Sequence, residues 1–388
     1  MSLLSRLRSI VDPALRARLA AKKKGRLEKT KLREEKRQRR REKESGPWNH
    51  TSQYDLAIRS PDGMQLSLPN LANRSYIRKF ATRHERIFYH ELARATNATT
   101  LEERVKLGSA YVRAHEHEIA DSSFEIDRSS GFETMSLPDS PWIRDGRAEA
   151  RRFIKRCPVD AKLPTKNAMG FIVSSEAKLN YGSNYIGYNS AICKLSMDPN
   201  IIVPVTRYLG ALPILFSATV NESRNDRMFE NSSQYWHIDP EDITQVKVLI
   251  YLNDVDSDTG PFTALSAGLT QTVFDALPEY GVGRLPDERV VEIVGPDREH
   301  RFTETEGTAV FCDSAKCLHY GSRPGTRRRY ILFLMYSLPT STWFPLIPGD
   351  GQPFLYTDRF QDPAATGVER AILGMELLPG LETQKKSR

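Results

Sequence analysis

The 388-residue sequence predicts an α+β chain in which helices come first and an antiparallel β-barrel or sandwich follows. Three observations point there. Residues 70 to 125 repeat apolar side chains at helical spacing. After residue 166 come short apolar runs rich in Val, Ile, Tyr and Phe, bounded by Gly, Asn, Asp and Pro. No regular helical crossovers separate those runs, which argues against a doubly wound parallel sheet.

Composition narrows the class. With 39% hydrophobic and 27% charged residues the chain reads as globular. No run approaches the roughly 18 uninterrupted apolar residues of a membrane span, and no apolar segment behind a short basic start resembles a secretory signal. The expected compartment is the cytoplasm. Cys157, Cys193, Cys312 and Cys317 are too few and scattered for a disulfide framework, so reduced thiols are expected.

Four segments are expected: a basic arm over 1–47, a mainly helical part over 48–165, a strand-rich core over 166–345 and a tail over 346–388. The arm holds 17 Lys and Arg against 6 Asp and Glu, while the remainder carries 39 against 43. The net charge of +7 therefore belongs to the arm. Its start places Leu3, Leu4, Leu7 and Ile10 at amphipathic helical spacing, and the mixed-charge stretch behind it suits a solvated helix or a disordered tail. An anionic partner, lipid or nucleic acid, is the functional alternative.

In the helical part, "SYIRKFATRHERIFYHELARA" predicts one helix through Ile77, Phe80, Ile87, Phe88 and Leu92. Thr100 and Glu103 predict a capping box opening the next helix. His115 and His117 on that helix lie two positions apart and point about 200° from each other, so they read as surface residues. "GFIVSS", "LPILFSATV", "QVKVLIYLNDV", "RVVEIVGP", "GTAVFCDS" and "RRYILFLMYSL" all read as strands. "PNIIVPVTRYLGA" and "GVERAILGMELL" read as helices within and after them.

"QYWHIDPED" places His237 and Asp239 two positions apart among these strands. Side chains two apart on a strand share a face, so an imidazole and a carboxylate can converge on one point. Ile238 between them should turn into packing. His319 lies 82 residues downstream, just past another β-run. Two imidazoles and a carboxylate on one face of an ion, with positions left open, favour non-haem Fe(II) over closed structural zinc. Ten residues later Arg329 opens "RYILFLMYSL", behind Arg327 and Arg328. A guanidinium at the mouth of an apolar barrel calls for an anion, and its fork suits a carboxylate.

In these motifs the sequence resembles the phytanoyl-CoA dioxygenase family of Fe(II)- and 2-oxoglutarate-dependent oxygenases. The likeness runs from about Leu209 to Tyr336, through "YWHIDPED", "VLIYLNDVDSDTGPF", "EGTAVFCDSAKCLHYGS" and the Arg before the last long strand. It implies a double-stranded β-helix core of the jelly-roll or cupin-like kind, with surrounding helices. It implies that His237, Asp239 and His319 hold iron, and that Arg329 anchors 2-oxoglutarate, with Tyr336 seven residues on; Arg328 is the alternative anchor.

Two departures stand out. "LSAGLT" over 265–270 replaces the family's Pro-Gly-Ser-His-like turn, and Ser322 stands three residues after the distal His instead of two. Asp239 disfavours the halogenating branch.

The implied reaction consumes molecular oxygen and 2-oxoglutarate, releases succinate and carbon dioxide, and hydroxylates a C–H bond of a small molecule. Asn221, Arg224 and Tyr235 are expected near the pocket. The rival reading is a non-catalytic binding or scaffold protein that retains the fold.

Overall fold

The computed structural model describes residues 57–59, 65–67, 74–79, 81–156, 169–174, 186, 188–223, 228, 233–278, 280–281, 283–321, 323–344 and 365–374. The arm over 1–47, Arg224 and Ser322 lie outside the described residues. Two compact units divide between Tyr76 and Ile77. In the first, β1 (Ala57–Arg59) pairs antiparallel with β2 (Gln65–Ser67).

The periodicity over 75–95 predicts one helix, but the structure has two, α1 (Arg74–Lys79) and α2 (Arg83–Thr96). The break comes from a capping box: Glu85 N donates to Thr82 Oγ1, while Thr82 N donates to the Glu85 carboxylate at 2.7 Å. Helix α3 (Ala98–His115) begins two residues before Thr100, so the capping box expected there is absent. Asn97 alone separates α2 from α3, and its N–H bonds back to Ala93 O; Glu103 pairs instead with Lys106 at 2.6 Å.

Arg104 of α3 is fully buried, donating Nε to Leu212 O and Nη2 to Pro213 O and Ala371 O at 2.9 to 3.1 Å. Burial pulls its pKa down to about 9. Arg104→Met leaves three buried carbonyls without this donor. Denaturant unfolding should show a loss of at least about 3 kcal/mol.

The remaining elements are β3 (Phe132–Ser136), α4 (Pro141–Arg156), β4 (Met169–Ser174), α5 (Ala191–Leu195), α6 (Pro199–Leu209), β5 (Ile214–Ser223) and β6 (Val246–Tyr251). After them come β7 (Thr263–Ala264), α7 (Ala267–Ala276), α8 (Asp287–Val294), β8 (His300–Arg301), β9 (Thr308–Asp313), β10 (His319–Tyr320), β11 (Arg329–Ser337) and α9 (Gly367–Ile372).

The reading of "RVVEIVGP" as a strand is corrected, because it forms α8. Asp287 and Glu288 favour the positive end of that helix, and Val290, Ile293 and Val294 fall on one buried side against Trp236 and Phe274. β-branched composition loses here to helical spacing.

Among the described residues all paired strands are antiparallel. Six form one sheet in the order β3-β9-β6-β11-β5-β4, and three form a smaller sheet, β10-β7-β8. One face of the large sheet turns Leu332, Leu334, Val248, Ile250, Val220 and Phe311 into a core shared with α3 to α6 and α9. The other turns Leu249, Tyr251, Val310 and Ile331 against Phe262, Ala264, Phe302 and Cys317, which flank or belong to the small sheet. The second unit is thus layered as helices, large sheet and small sheet, with the second apolar layer between the sheets.

Register defines the inner face. Arg329 pairs with Ser223, Ile331 with Asn221 and Tyr251, Phe333 with Thr219 and Leu249, and Met335 with Ser217 and Lys247. Directly paired residues of antiparallel strands share a face, so all of these look toward the small sheet. A β-bulge between Met335 and Tyr336 shifts the register there.

Among the described residues no helix is long and apolar enough to cross a membrane.

Candidate metal centre

His237 and His319 face each other across an isolated antiparallel bridge at the edge of the small sheet. The bond is reciprocal: His237 N donates to His319 O at 3.0 Å and His319 N donates to His237 O at 2.9 Å. This backbone pair brings imidazoles from distant parts of the chain to a centroid separation of 4.3 Å. Asp239 emerges on the same side, its backbone held by Asp239 N donating to Ser314 O at 2.9 Å. Ile238, as expected, packs away from them with Trp236, Leu265 and Phe274.

One ligand atom from each of His237, Asp239 and His319 lies within 4.8 Å of the others. Both Nδ1 atoms face backbone carbonyls, His237 toward Tyr235 O at 2.8 Å and His319 toward Cys317 O at 2.9 Å. A carbonyl only accepts, so Nδ1 carries the proton in each ring and Nε2 presents its lone pair. The donor set suits a divalent metal by this test: two oriented neutral imidazoles and one carboxylate.

Electrostatics agree. Burial, then the neighbouring His319 and Arg284, hold His237 well below the usual imidazole pKa, and burial holds His319 at about 4. Burial alone would raise the Asp239 carboxyl, but the Lys247 ammonium and the two imidazoles hold it below the ordinary range.

Arg329 is buried on the inner face, donating Nε and Nη2 to Ser223 Oγ at 3.3 and 3.2 Å and also to the Tyr251 hydroxyl. Its Nη2 runs close to Gly321, where an added Cβ would stand 3.1 Å away. Arg328 is turned outward instead, with a side chain 56% exposed and paired with Glu222 on the opposite face of β5. Tyr336 lies on the helical face, away from Arg329, and donates to Ser196 O at 2.6 Å.

Asn221 is buried on the inner face opposite Ile331, and its Oδ1 has no hydrogen-bond partner among the described residues. Tyr235 contributes its carbonyl to His237. The segment "LSAGLT" caps and opens α7, with Leu269 N donating to Ser266 Oγ. His115 lies on the surface in a pair with Glu118 at 2.9 Å.

Three site residues escape the sequence reading. Arg86 of α2 is buried and donates Nη2 to Asp239 O at 3.3 Å and to Asp242 O at 3.0 Å. It clamps the turn that carries the carboxylate. His90, one helical turn on, meets Asp242 Oδ1 at 3.2 Å, and Ser337 and Thr340 hydroxyls donate to Asp242 Oδ2. Lys247 on β6 forms an ion pair with Asp239 Oδ2.

Signals for Arg86 and Lys247 existed in the sequence. Arg86 shares a helical face with Tyr89 and Ala93, and Lys247 shares a strand face with Leu249 and Tyr251. Arg86→Met should lower stability by about 2 kcal/mol and weaken metal binding about tenfold, as measured by unfolding and by chelator competition.

No family model matches the chain, and no curated protein matches it. Solved structures resemble it distantly. The non-haem α-ketoglutarate-dependent epimerase SnoN from nogalamycin biosynthesis shares 16% identity over 62% of this chain and 91% of its own, with a TM-score of 0.37. EctD from S. alaskensis with 2-oxoglutarate and 5-hydroxyectoine shares 14% over 61% and 82%, with a TM-score of 0.41. HygX from Streptomyces hygroscopicus with nickel, 2-oxoglutarate and hygromycin B shares 16% over 54% and 83%, with a TM-score of 0.37.

Proposed function

We propose that the chain is an Fe(II)- and 2-oxoglutarate-dependent oxygenase on a double-stranded β-helix core, acting on a C–H bond of a small molecule. The observation that carries this reading is the reciprocal His237–His319 bridge, which sets the two imidazoles side by side with Asp239, one donor atom of each within 4.8 Å of the others and both Nδ1 atoms engaged by carbonyls. Two imidazoles and one carboxylate leave positions open on an octahedral ion.

His237, Asp239 and His319 would hold the iron. When bound, the iron supplies oxygen activation coupled to decarboxylation of 2-oxoglutarate, releasing succinate and carbon dioxide. The chain's own groups supply position. Arg329 lies on the inner face, where its planar fork can take the distal carboxylate of 2-oxoglutarate, with Ser223 and Tyr251 holding the guanidinium in plane. Phe262, whose ring centroid lies 5.4 Å from that of His319, and Phe302 form an apolar wall that keeps water from this end.

The test is formation of succinate from 2-oxoglutarate under air with Fe(II) and a reductant, comparing the wild type with Asp239→Ala. Slow succinate release by the wild type alone is expected, even without a substrate. Folded, iron-loaded wild type that consumes no 2-oxoglutarate would contradict the reading and favour the scaffold alternative.

A further inference from the structure

A cavity of about 360 Å³ opens behind the segment that carries His237 and Asp239, and its wall includes Ile238, which turns away from both. Ala315 and Lys316, which lead into Cys317 and His319, form another part of the wall. Ile87, Ile243 and Phe274 add apolar surface. The cavity therefore touches both chain segments that supply the metal ligands, while the three ligands themselves do not line it.

Its charged lining is cationic. Arg83, Arg86 and Lys316 all border it, and none of the described residues that line it is acidic. Arg83 opens α2 and Ala267 opens α7, so the positive ends of two helices meet the same cavity. Arg83 is held by the Gln271 side-chain oxygen at 2.6 Å and by the Phe274 ring at 4.7 Å, and it makes no ion pair among the described residues. Lys316 shares Asp313 Oδ2, at 3.4 Å, with the Tyr208 hydroxyl.

Arg86 is the least satisfied of the three. It is 3% exposed, and its hydrogen bonds run only from Nη2, to the Asp239 and Asp242 carbonyls; Nε and Nη1 meet no acceptor among the described residues. Glu241, Asp242 and Asp239 act on its charge at a distance, yet none of these carboxylates accepts from it. A buried guanidinium with unused donors in the wall of a cavity calls for an acceptor within that cavity.

We propose that this cavity binds a small carboxylate with an apolar body, and that its binding tightens the metal centre. The acid group meets Arg86 and the partly exposed cations Arg83 and Lys316, and the body lies against Ile87, Ile238, Ile243 and Phe274. An anion held by the unused N–H groups of Arg86 fixes the guanidinium whose Nη2 clamps the turn bearing Asp239. Part of the ordering that metal binding requires is then already made. The coupling rests on His237, Asp239 and His319 as metal ligands; the anion site itself does not.

The test uses full-length protein with Zn(II) and saturating 2-oxoglutarate, so that the metal centre is occupied, and ligand-observed NMR with 4-phenylbutanoate and 4-phenylbutanamide. Wild type should prefer the acid over the amide about tenfold, the effect of one charge-assisted hydrogen bond. Arg83→Met combined with Lys316→Met should weaken acid binding about fivefold and leave amide binding alone. Gln271→Trp, at an exposed helical position on the cavity wall, should fill the space and weaken both probes. In chelator competition without 2-oxoglutarate, 4-phenylbutanoate should raise the Zn(II) affinity of the wild type about fivefold and leave that of Gln271→Trp unchanged.

Equal binding of acid and amide, or an acid preference untouched by the double variant, overturns the proposal. So does a Zn(II) affinity that the acid leaves unchanged in wild type. Tightening that persists in Gln271→Trp places the acid on the metal itself and overturns it as well. Failure of the oxygenase reading looks different: 2-oxoglutarate is then neither bound nor consumed, while the acid preference and its effect on Zn(II) remain.

Discussion

Replacing His319 by Ala is expected to weaken divalent metal binding by more than about 100-fold while the protein stays folded. Substitutions of groups that merely orient a ligand cost about 10- to 100-fold in affinity, and His319 supplies a donor atom itself. The fold should survive because His319 holds His237 through its backbone, and both bonds of that bridge remain in the variant. Asp239→Ala should behave alike on metal binding, while also leaving Lys247 without its carboxylate. Competition with a colorimetric chelator measures the affinity, and circular dichroism checks the fold. Retained affinity in His319→Ala would show that the three side chains do not act as one ligand set.

Replacing Arg329 by Met is expected to weaken 2-oxoglutarate binding by about 30-fold or more, with metal affinity little changed. Truncating one partner of a buried charge pair costs about 2–5 kcal/mol, part of it from the carboxylate left without its cation. Arg329→Lys should restore little, because the ammonium lacks the two-pronged fork that meets a carboxylate. Arg328→Met should leave 2-oxoglutarate binding unchanged, since that side chain faces outward to Glu222. Calorimetric titration of 2-oxoglutarate into metal-loaded protein separates these variants. An equal loss in both would place the anchor elsewhere.

Much of this site is legible in the sequence because strand alternation is a strong constraint. His237 and Asp239 share a face by spacing alone, and Ile238 falls on the other. His319 stands out because eight histidines leave few choices of third ligand. Which arginine points inward was open among three neighbours, and pairing decides it: Arg329 lies opposite Ser223, on the face that carries Asn221 and Tyr251.

Buried cations are harder to read. Arg86, Arg104 and Lys247 look like solvent-facing residues when charge is taken as a mark of exposure, yet each sits on the buried face of its element. Lys247 could have been noticed, since every other residue of β6 (Val246–Tyr251) is apolar or aromatic and both faces of that strand are covered. Tyr336, seven residues after Arg329, lies on the opposite face, because the seven-residue step is odd and the β-bulge does not return it to the inner face. The helix α8 was hidden by its β-branched residues, which composition reads as strand.

The most direct measurement is an anaerobic titration of the Fe(II)-loaded protein with 2-oxoglutarate, followed in the visible region, with His237→Ala alongside. Chelation of Fe(II) by the keto acid should give a weak metal-to-ligand charge-transfer band that saturates at one equivalent in the wild type and is absent in the variant. Folded wild-type protein that takes up Fe(II) and 2-oxoglutarate to no spectral effect would contradict the central claim that His237, Asp239 and His319 form an open iron site.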